Sequence, residues 1–219
     1  MKILVVGCGS IGKRHIRNLL ALNFVIEACD VDDRKRSEVK KDFEIKVHES
    51  VEQALDRSLY DAAFICTPPS LHVNQALFLV RKGLHCFIEK PLSHNLDGID
   101  NLISAAESRQ RTVMIGYTLR FSPYLARVKN FISSGTLGRL LFLRASVGYY
   151  LPYWRPHEDY RKGYGANKSL GGGIILDASH EIDYARFFMG EVSEVFAVCR
   201  KLSSLDIDTE DYAEIIMRS

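Results

Sequence analysis

Short apolar runs, each stopped by a glycine or a polar cluster, punctuate the first half of the chain. Residues 3–6 (Ile-Leu-Val-Val) are apolar without a break. Such a run reads as a strand buried on both faces, the kind found in parallel sheets. Residues 24–29, 61–66, 84–88 and 112–116 repeat the signal. Between them the apolar spacing changes to that of a helix. One helix starts near Ser10 and runs through Ile16, Leu19 and Leu20, and residues 51–55 suggest a short one. Residues 71–82 are helical by spacing, with Gly83 suited to the C-terminal cap. Residues 96–109 set Ile99, Leu102, Ile103 and Ala106 on one face. Repeated strand–helix alternation predicts an α/β, doubly wound parallel sheet.

The pattern changes near residue 117. A helix over 123–133 is followed by a long strand over 139–150, then a loop over 151–173 rich in Tyr, Trp, Pro and Gly. A helix over 174–189 and strands over 192–202 and 212–217 complete the chain. Few helices and long strands predict an α+β second domain with an open, mainly antiparallel sheet. The expected division is 1–118 for a dinucleotide-binding domain and 119–219 for a substrate and oligomerisation domain. The last run stops at Ser219 without a closing helix or polar tail, so the sheet is expected to lack strands. An unpaired edge of that kind invites pairing with another chain, which points to a homo-oligomer.

Composition narrows the function. The 219 residues carry a net charge of +2, with Lys and Arg spread along the chain. That argues against a nucleic-acid arm or a membrane-surface patch. The cysteines at 8, 29, 66, 86 and 199 form no C-x-x-C pair. They read as reduced, mostly buried thiols of a cytoplasmic protein. The opening apolar run is too short for a signal peptide, and no run is long enough to span a bilayer. No metal site is read from the sequence.

The chemistry starts at Gly7-Cys8-Gly9-Ser10-Ile11-Gly12. Gly7 permits a tight turn, Gly9 lets a pyrophosphate approach the backbone, and Gly12 lets the helix pack on the strand. The amide hydrogens of Ser10 and Ile11, at the positive end of that helix, would face the phosphates. Asp30 follows Gly12 by 18 residues and ends the second strand. A carboxylate there holds ribose hydroxyls. Val31, Asp32 and Asp33 come next, so a 2′-phosphate would meet repulsion, and NAD is favoured over NADP.

Thr67-Pro68-Pro69 closes a strand on the ligand-facing edge of such a sheet and would wall the cofactor site. His72 either faces that site or is a first-turn polar residue. Glu89-Lys90-Pro91 closes another strand. Lys90 can orient a substrate hydroxyl, and Glu89 could hold that ammonium in place. Three glycines, 171–173, open a helix on which Asp177, His180 and Asp183 share a face. A neutral histidine is a good general base for an alcohol proton. The aromatic loop holds Tyr149, Tyr150, Tyr153, Trp154, Tyr160, Arg161 and Tyr164, and aromatic faces with interleaved Arg suit sugar rings or a nucleotide.

These motifs together resemble the Gfo/Idh/MocA family of oxidoreductases. The matching residues add Gly116-Tyr117, Arg120-Phe121 and Pro123 to those above. The resemblance implies an N-terminal Rossmann domain and an open C-terminal sheet. It implies that Lys90 and His180 frame the reacting carbon and that Arg120, with Tyr117, shapes the substrate side. In many members the helix aspartate stands four residues before the histidine, where Leu176 stands here; Asp177 is three before. The aromatic loop looks like the branch linked to surface-polysaccharide and nonulosonic-acid sugars, with Trp154 and Tyr164 on the substrate. The expected activity is NAD-dependent oxidation or reduction at a sugar or sugar-nucleotide carbinol. The alternative is a dinucleotide-binding scaffold without turnover.

Overall fold

Strand β1 (Lys2–Val6) is buried from Ile3 onward, because parallel strands flank it on both sides. It pairs with β2 (Val25–Cys29) on one edge and β4 (Ala62–Ile65) on the other. The computed structural model describes residues 1–154 and 156–219. Arg155, in the aromatic loop, lies outside the described residues. The chain divides into two units, Met1–Gly116 and Tyr117–Ser219.

In the first unit β3 (Lys46–His48), β5 (His85–Ile88) and β6 (Val113–Ile115) complete a six-stranded sheet in the order β3-β2-β1-β4-β5-β6. Every pair is parallel. The strand order turns back between β1 and β4, which is where open α/β sheets bind ligands, at the strands' carboxyl ends. Alternate residues of β1 feed two cores. Ile3 and Val5 pack with Ile16 and Leu19 of α1 (Ser10–Ala21). Leu4 and Val6 pack with Leu79 and Val80 of α4 (Pro69–Arg81) and Leu102 of α5 (Ile99–Arg109). The helices α2 (Asp33–Phe43) and α3 (Val51–Arg57) lie between these elements in the chain.

The periodicity finds neither α2 nor β3. The α2 segment is mostly charged, and Val39 is its only buried residue. Its stability rests instead on Asp32, which accepts from the N–H groups of Arg34 and Lys35 as an N-cap, and on the Arg34–Glu38 pair one turn apart.

The second unit holds α6 (Pro123–Ser133), the short α7 (Leu151–Trp154), α8 (Ile174–Asp177) and α9 (Ser179–Met189). Its sheet is an antiparallel pair, β7 (Glu194–Arg200) with β8 (Tyr212–Arg218). Two expectations are corrected here. The strand expected over 139–150 is not one: among the described residues no strand pairs with it, and Leu141 and Phe142 stay exposed. A run of β-favouring residues becomes a strand only where a neighbour completes its ladder. The helix expected over 174–189 is two helices, because Ala178 leaves helical geometry at φ −93°, ψ 24°.

Candidate functional site

The glycine loop joins β1 to α1. At Gly7 the backbone takes φ +99°, and an added Cβ would stand 2.8 Å from the Cys66 carbonyl oxygen. At Gly12 an added Cβ would stand 1.9 Å from the Gly7 carbonyl oxygen, so only glycine lets α1 sit this close. Gly9 is different: nothing lies within 4 Å of where its Cβ would be. The open space is at the start of α1, where the amide hydrogens of Ser10 and Ile11 lack helix partners. A cradle of this shape fits a pyrophosphate.

Asp30 lies beside that loop. Its Oδ2 accepts from the Cys8 N–H at 2.7 Å and its Oδ1 from the Asp32 N–H at 2.9 Å. The carboxylate is therefore oriented by backbone and keeps lone pairs for further donors, as a ribose diol requires. Arg36 is drawn inward onto the carbonyls of Asp30 and Val31 and the carboxylate of Asp33. Cys8 is no nucleophile: burial, with the Asp30 charge second, pushes its thiol up to about 12.

The loops after β4 and β5 border the same edge of the sheet. Thr67 donates its hydroxyl to Gln75 Oε1 at 2.7 Å, and Pro68 precedes α4 as its N-cap. His72 is 1% exposed. Its Nε2 lies 2.8 Å from the Thr67 carbonyl oxygen and its Nδ1 2.9 Å from that of Pro91. Burial lowers its pKa, against the raising effect of those carbonyls. It has no surface to give a ligand, so direct cofactor contact by His72 is replaced by a role inside the loops.

Glu89 is reassigned too. Its Oε1 lies 2.5 Å from His15 Nε2 on α1, and its Oε2 accepts from the Lys90 backbone N–H at 3.3 Å. Burial would raise its pKa, but the His15 hydrogen bond and charge outweigh that and hold the carboxyl below its ordinary range. The carboxylate expected to hold the Lys90 ammonium is turned towards α1 instead. Lys90 itself follows the end of β5. Nothing in the sequence pattern singles out His15, since a lone histidine on an apolar helix face reads as core.

In the second unit the expected acid–base residues fall on two helices. Asp177 ends α8 and His180 lies near the start of α9, so they do not share one helix. Tyr149 and Tyr164 both donate their hydroxyls to the Asp177 carboxylate. The Tyr117 and His180 rings meet edge to face, with centroids 5.7 Å apart. Arg120 forms a two-pronged pair with Asp183, with Nε to Oδ2 and Nη2 to Oδ1 both at 2.8 Å. Asp183 is 7% exposed, and the Arg120 guanidinium also lies over the Phe187 ring. This pair ties the turn Thr118–Phe121 to α9. Trp154 is exposed and stacks on Tyr149 with centroids 4.3 Å apart. Among the described residues no cluster could hold a metal ion, and no helix is long and apolar enough to cross a membrane.

Comparison with known proteins bears on this geometry. A family model described as an oxidoreductase family with an NAD-binding Rossmann fold matches residues 1–117, and a GFO/IDH/MocA C-terminal domain model matches residues 125–219. The myo-inositol 2-dehydrogenase of Thermotoga maritima is 30% identical over 202 residues, covering 90% of this chain and 58% of the relative. The uncharacterized oxidoreductase YrbE of Bacillus subtilis is 29% identical over 200 residues, covering 88% and 55%. The chain thus spans little more than half the length of these relatives. Among solved structures, the WlbA dehydrogenase of Bordetella pertussis, in complex with NADH and UDP-GlcNAcA, superposes with a TM-score of 0.83 at 22% identity. The match covers 99% of this chain and 66% of that one. The myo-inositol 2-dehydrogenase of Lactobacillus plantarum gives 0.86 at 21% identity, covering 100% and 66%. At those identities the structural likeness speaks for the fold alone.

Proposed function

The chain belongs to the Gfo/Idh/MocA family of oxidoreductases, and from that premise we propose that it moves a hydride between NAD and a carbinol carbon of a sugar or sugar nucleotide. The observation that carries this reading is the open cradle at Gly9, with Asp30 fixed beside it by the Cys8 N–H. When bound there, NAD supplies the hydride acceptor or donor. The amide hydrogens at the start of α1 bind its phosphates, and Asp30 takes the ribose hydroxyls. The acidic run 30–33, carrying Asp30, Asp32 and Asp33, favours NAD over NADP.

Lys90 holds the substrate oxygen with its ammonium, and His180 exchanges the hydroxyl proton. Asp177 orients that region through the hydroxyls of Tyr149 and Tyr164. Tyr117 and Trp154 supply aromatic faces for the substrate, and Arg120 shapes its side indirectly, through Asp183. Sugars are favoured because relatives are named inositol dehydrogenases and a UDP-N-acetylglucosamine 3-dehydrogenase. Buried free thiols at Cys8, Cys29, Cys66 and Cys86 suit a reducing compartment, the cytoplasm. The exposed Phe196 and Ile216, opposite each other on β7 and β8, favour a homo-oligomer formed through that sheet.

The test is a panel of inositols, hexoses and UDP-amino sugars, deuterated at each carbinol carbon, incubated with NAD or NADP. Growth of the reduced-nicotinamide absorbance with NAD, and deuterium recovered on the nicotinamide, is the expected result. Tight NAD binding with no absorbance change for any member would leave a dinucleotide-binding scaffold.

A further inference from the structure

Two buried imidazoles bracket Lys90. His15, on α1, meets the stacked rings of Phe64 and Phe87 at a steep angle, each centroid 5.3 Å away. Its Nε2 is 2.5 Å from Glu89 Oε1. An ionised carboxylate only accepts, so Nε2 carries the hydrogen. On the other flank His72, from α4, brings Nδ1 to 2.9 Å from the Pro91 carbonyl oxygen. Lys90 is the residue between these two anchored neighbours. Helix α1 starts at the glycine loop and α4 starts at the Thr67–Pro68 loop. Each imidazole therefore ties one side of Lys90 to a helix whose first turn borders the dinucleotide cradle. At 8% and 1% exposure, neither has surface to offer a ligand.

A buried polar contact of this kind is weak evidence for stability, since apolar side chains of the same volume pack as well or better. Its value lies in fixed geometry. We propose that His15 and His72 are positioning residues that set Lys90 against the dinucleotide loops, His15 through the Glu89 side chain and His72 through the Pro91 carbonyl. The inference rests on reading Lys90 as the group that holds the substrate oxygen.

The experiment compares His15→Leu, His15→Gln, His72→Leu and Glu89→Gln with the parent protein. Three quantities are read: NADH affinity by fluorescence titration, kcat and KM on a sugar the parent oxidises, and trace acetylation of Lys90 by acetic anhydride on NAD-loaded protein. The exposed Lys40 and Lys41 serve as internal references for acetylation. For His15→Leu and His72→Leu, kcat should fall about 10- to 100-fold, the cost of a small misplacement, with KM and NADH affinity little changed. Lys90 acetylation should shift against the references. His15→Gln, which can still donate to Glu89, should recover most of the loss. Glu89→Gln keeps the side-chain shape, folds if the leucine variants do not, and should move kcat the same way by less. Unchanged kcat and unchanged Lys90 acetylation would overturn the proposal. So would a loss of kcat matched by an equal loss of NADH affinity that His15→Gln does not relieve. If Lys90→Ala turns over at the parent rate, or the parent oxidises no sugar, the enzymatic reading fails, and acetylation alone still decides whether the imidazoles position Lys90.

Discussion

At the scale of single residues, much of the polar chemistry in the first unit is internal. Glu27 is buried in β2 and receives Lys2 at 2.8 Å and Tyr60 and His48 at 2.6 Å. Burial raises its pKa, but these partners outweigh it and bring the carboxyl down to about 2 from 4.5. A depressed carboxylate stabilises the fold fully above its unfolded pKa and loses that contribution as pH falls through the folded one. Glu27→Gln should therefore cost on the order of 2 to 3 kcal/mol at pH 7, with Lys2's partial exposure discounted. Urea unfolding of parent and variant should converge as pH is taken from 4.5 towards 2. A gap independent of pH would assign the loss to packing instead. None of this was visible in the sequence. A single acidic residue within an apolar run has no spacing partner, and two of its partners in space, His48 and Tyr60, are 21 and 33 residues away along the chain. Asp30, by contrast, was legible because the glycine motif fixes where to look.

At the scale of elements, the turn from β1 to α1 allows a clean comparison. Gly12→Ala would drive a methyl into the Gly7 carbonyl at 1.9 Å. It should destabilise by about 3 kcal/mol or more, as overpacking against backbone does. Gly9→Ala meets open space. It should leave the melting temperature nearly unchanged yet weaken NAD binding at least about tenfold, or 1.4 kcal/mol, because the methyl stands where a phosphate would come. Calorimetry with and without NAD separates the two; equal effects on stability and affinity in both variants would remove the phosphate assignment. Buried strands and apolar-faced helices of the first unit were readable from period alone. Helix α2 was not, since caps and charge pairs rather than an apolar stripe sustain it. Residues 139–150 go the other way: they favour strand locally, but pairing is a property of two segments, not of one. The break at Ala178 is not legible in the sequence, because apolar spacing continues across it, from Ile175 to Ile182.

At the scale of the whole molecule, β7 and β8 present Phe196 and Ile216, 65% and 63% exposed, opposite each other in register. Under the proposed homo-oligomer, this apolar cross-strand pair is where the copies would meet. The double variant Phe196→Glu with Ile216→Lys should lower the mass seen by sedimentation equilibrium while near-ultraviolet circular dichroism stays that of the parent. The same mass for both proteins would place any contact elsewhere. The alternation of strands and helices and the three short motifs at strand ends make the parallel sheet and the family legible. The partners those motif residues take were not legible, because Glu89–His15 and Arg120–Asp183 join residues 74 and 63 positions apart.

Under the proposed function, an amine following β5 acts on the substrate of a dinucleotide held at the glycine loop. The most direct measurement is steady-state formation of reduced nicotinamide by the parent and by Lys90→Ala, alongside NADH titration of both. Lys90→Ala should bind NADH like the parent and form no product. Turnover by Lys90→Ala at the parent rate would contradict it.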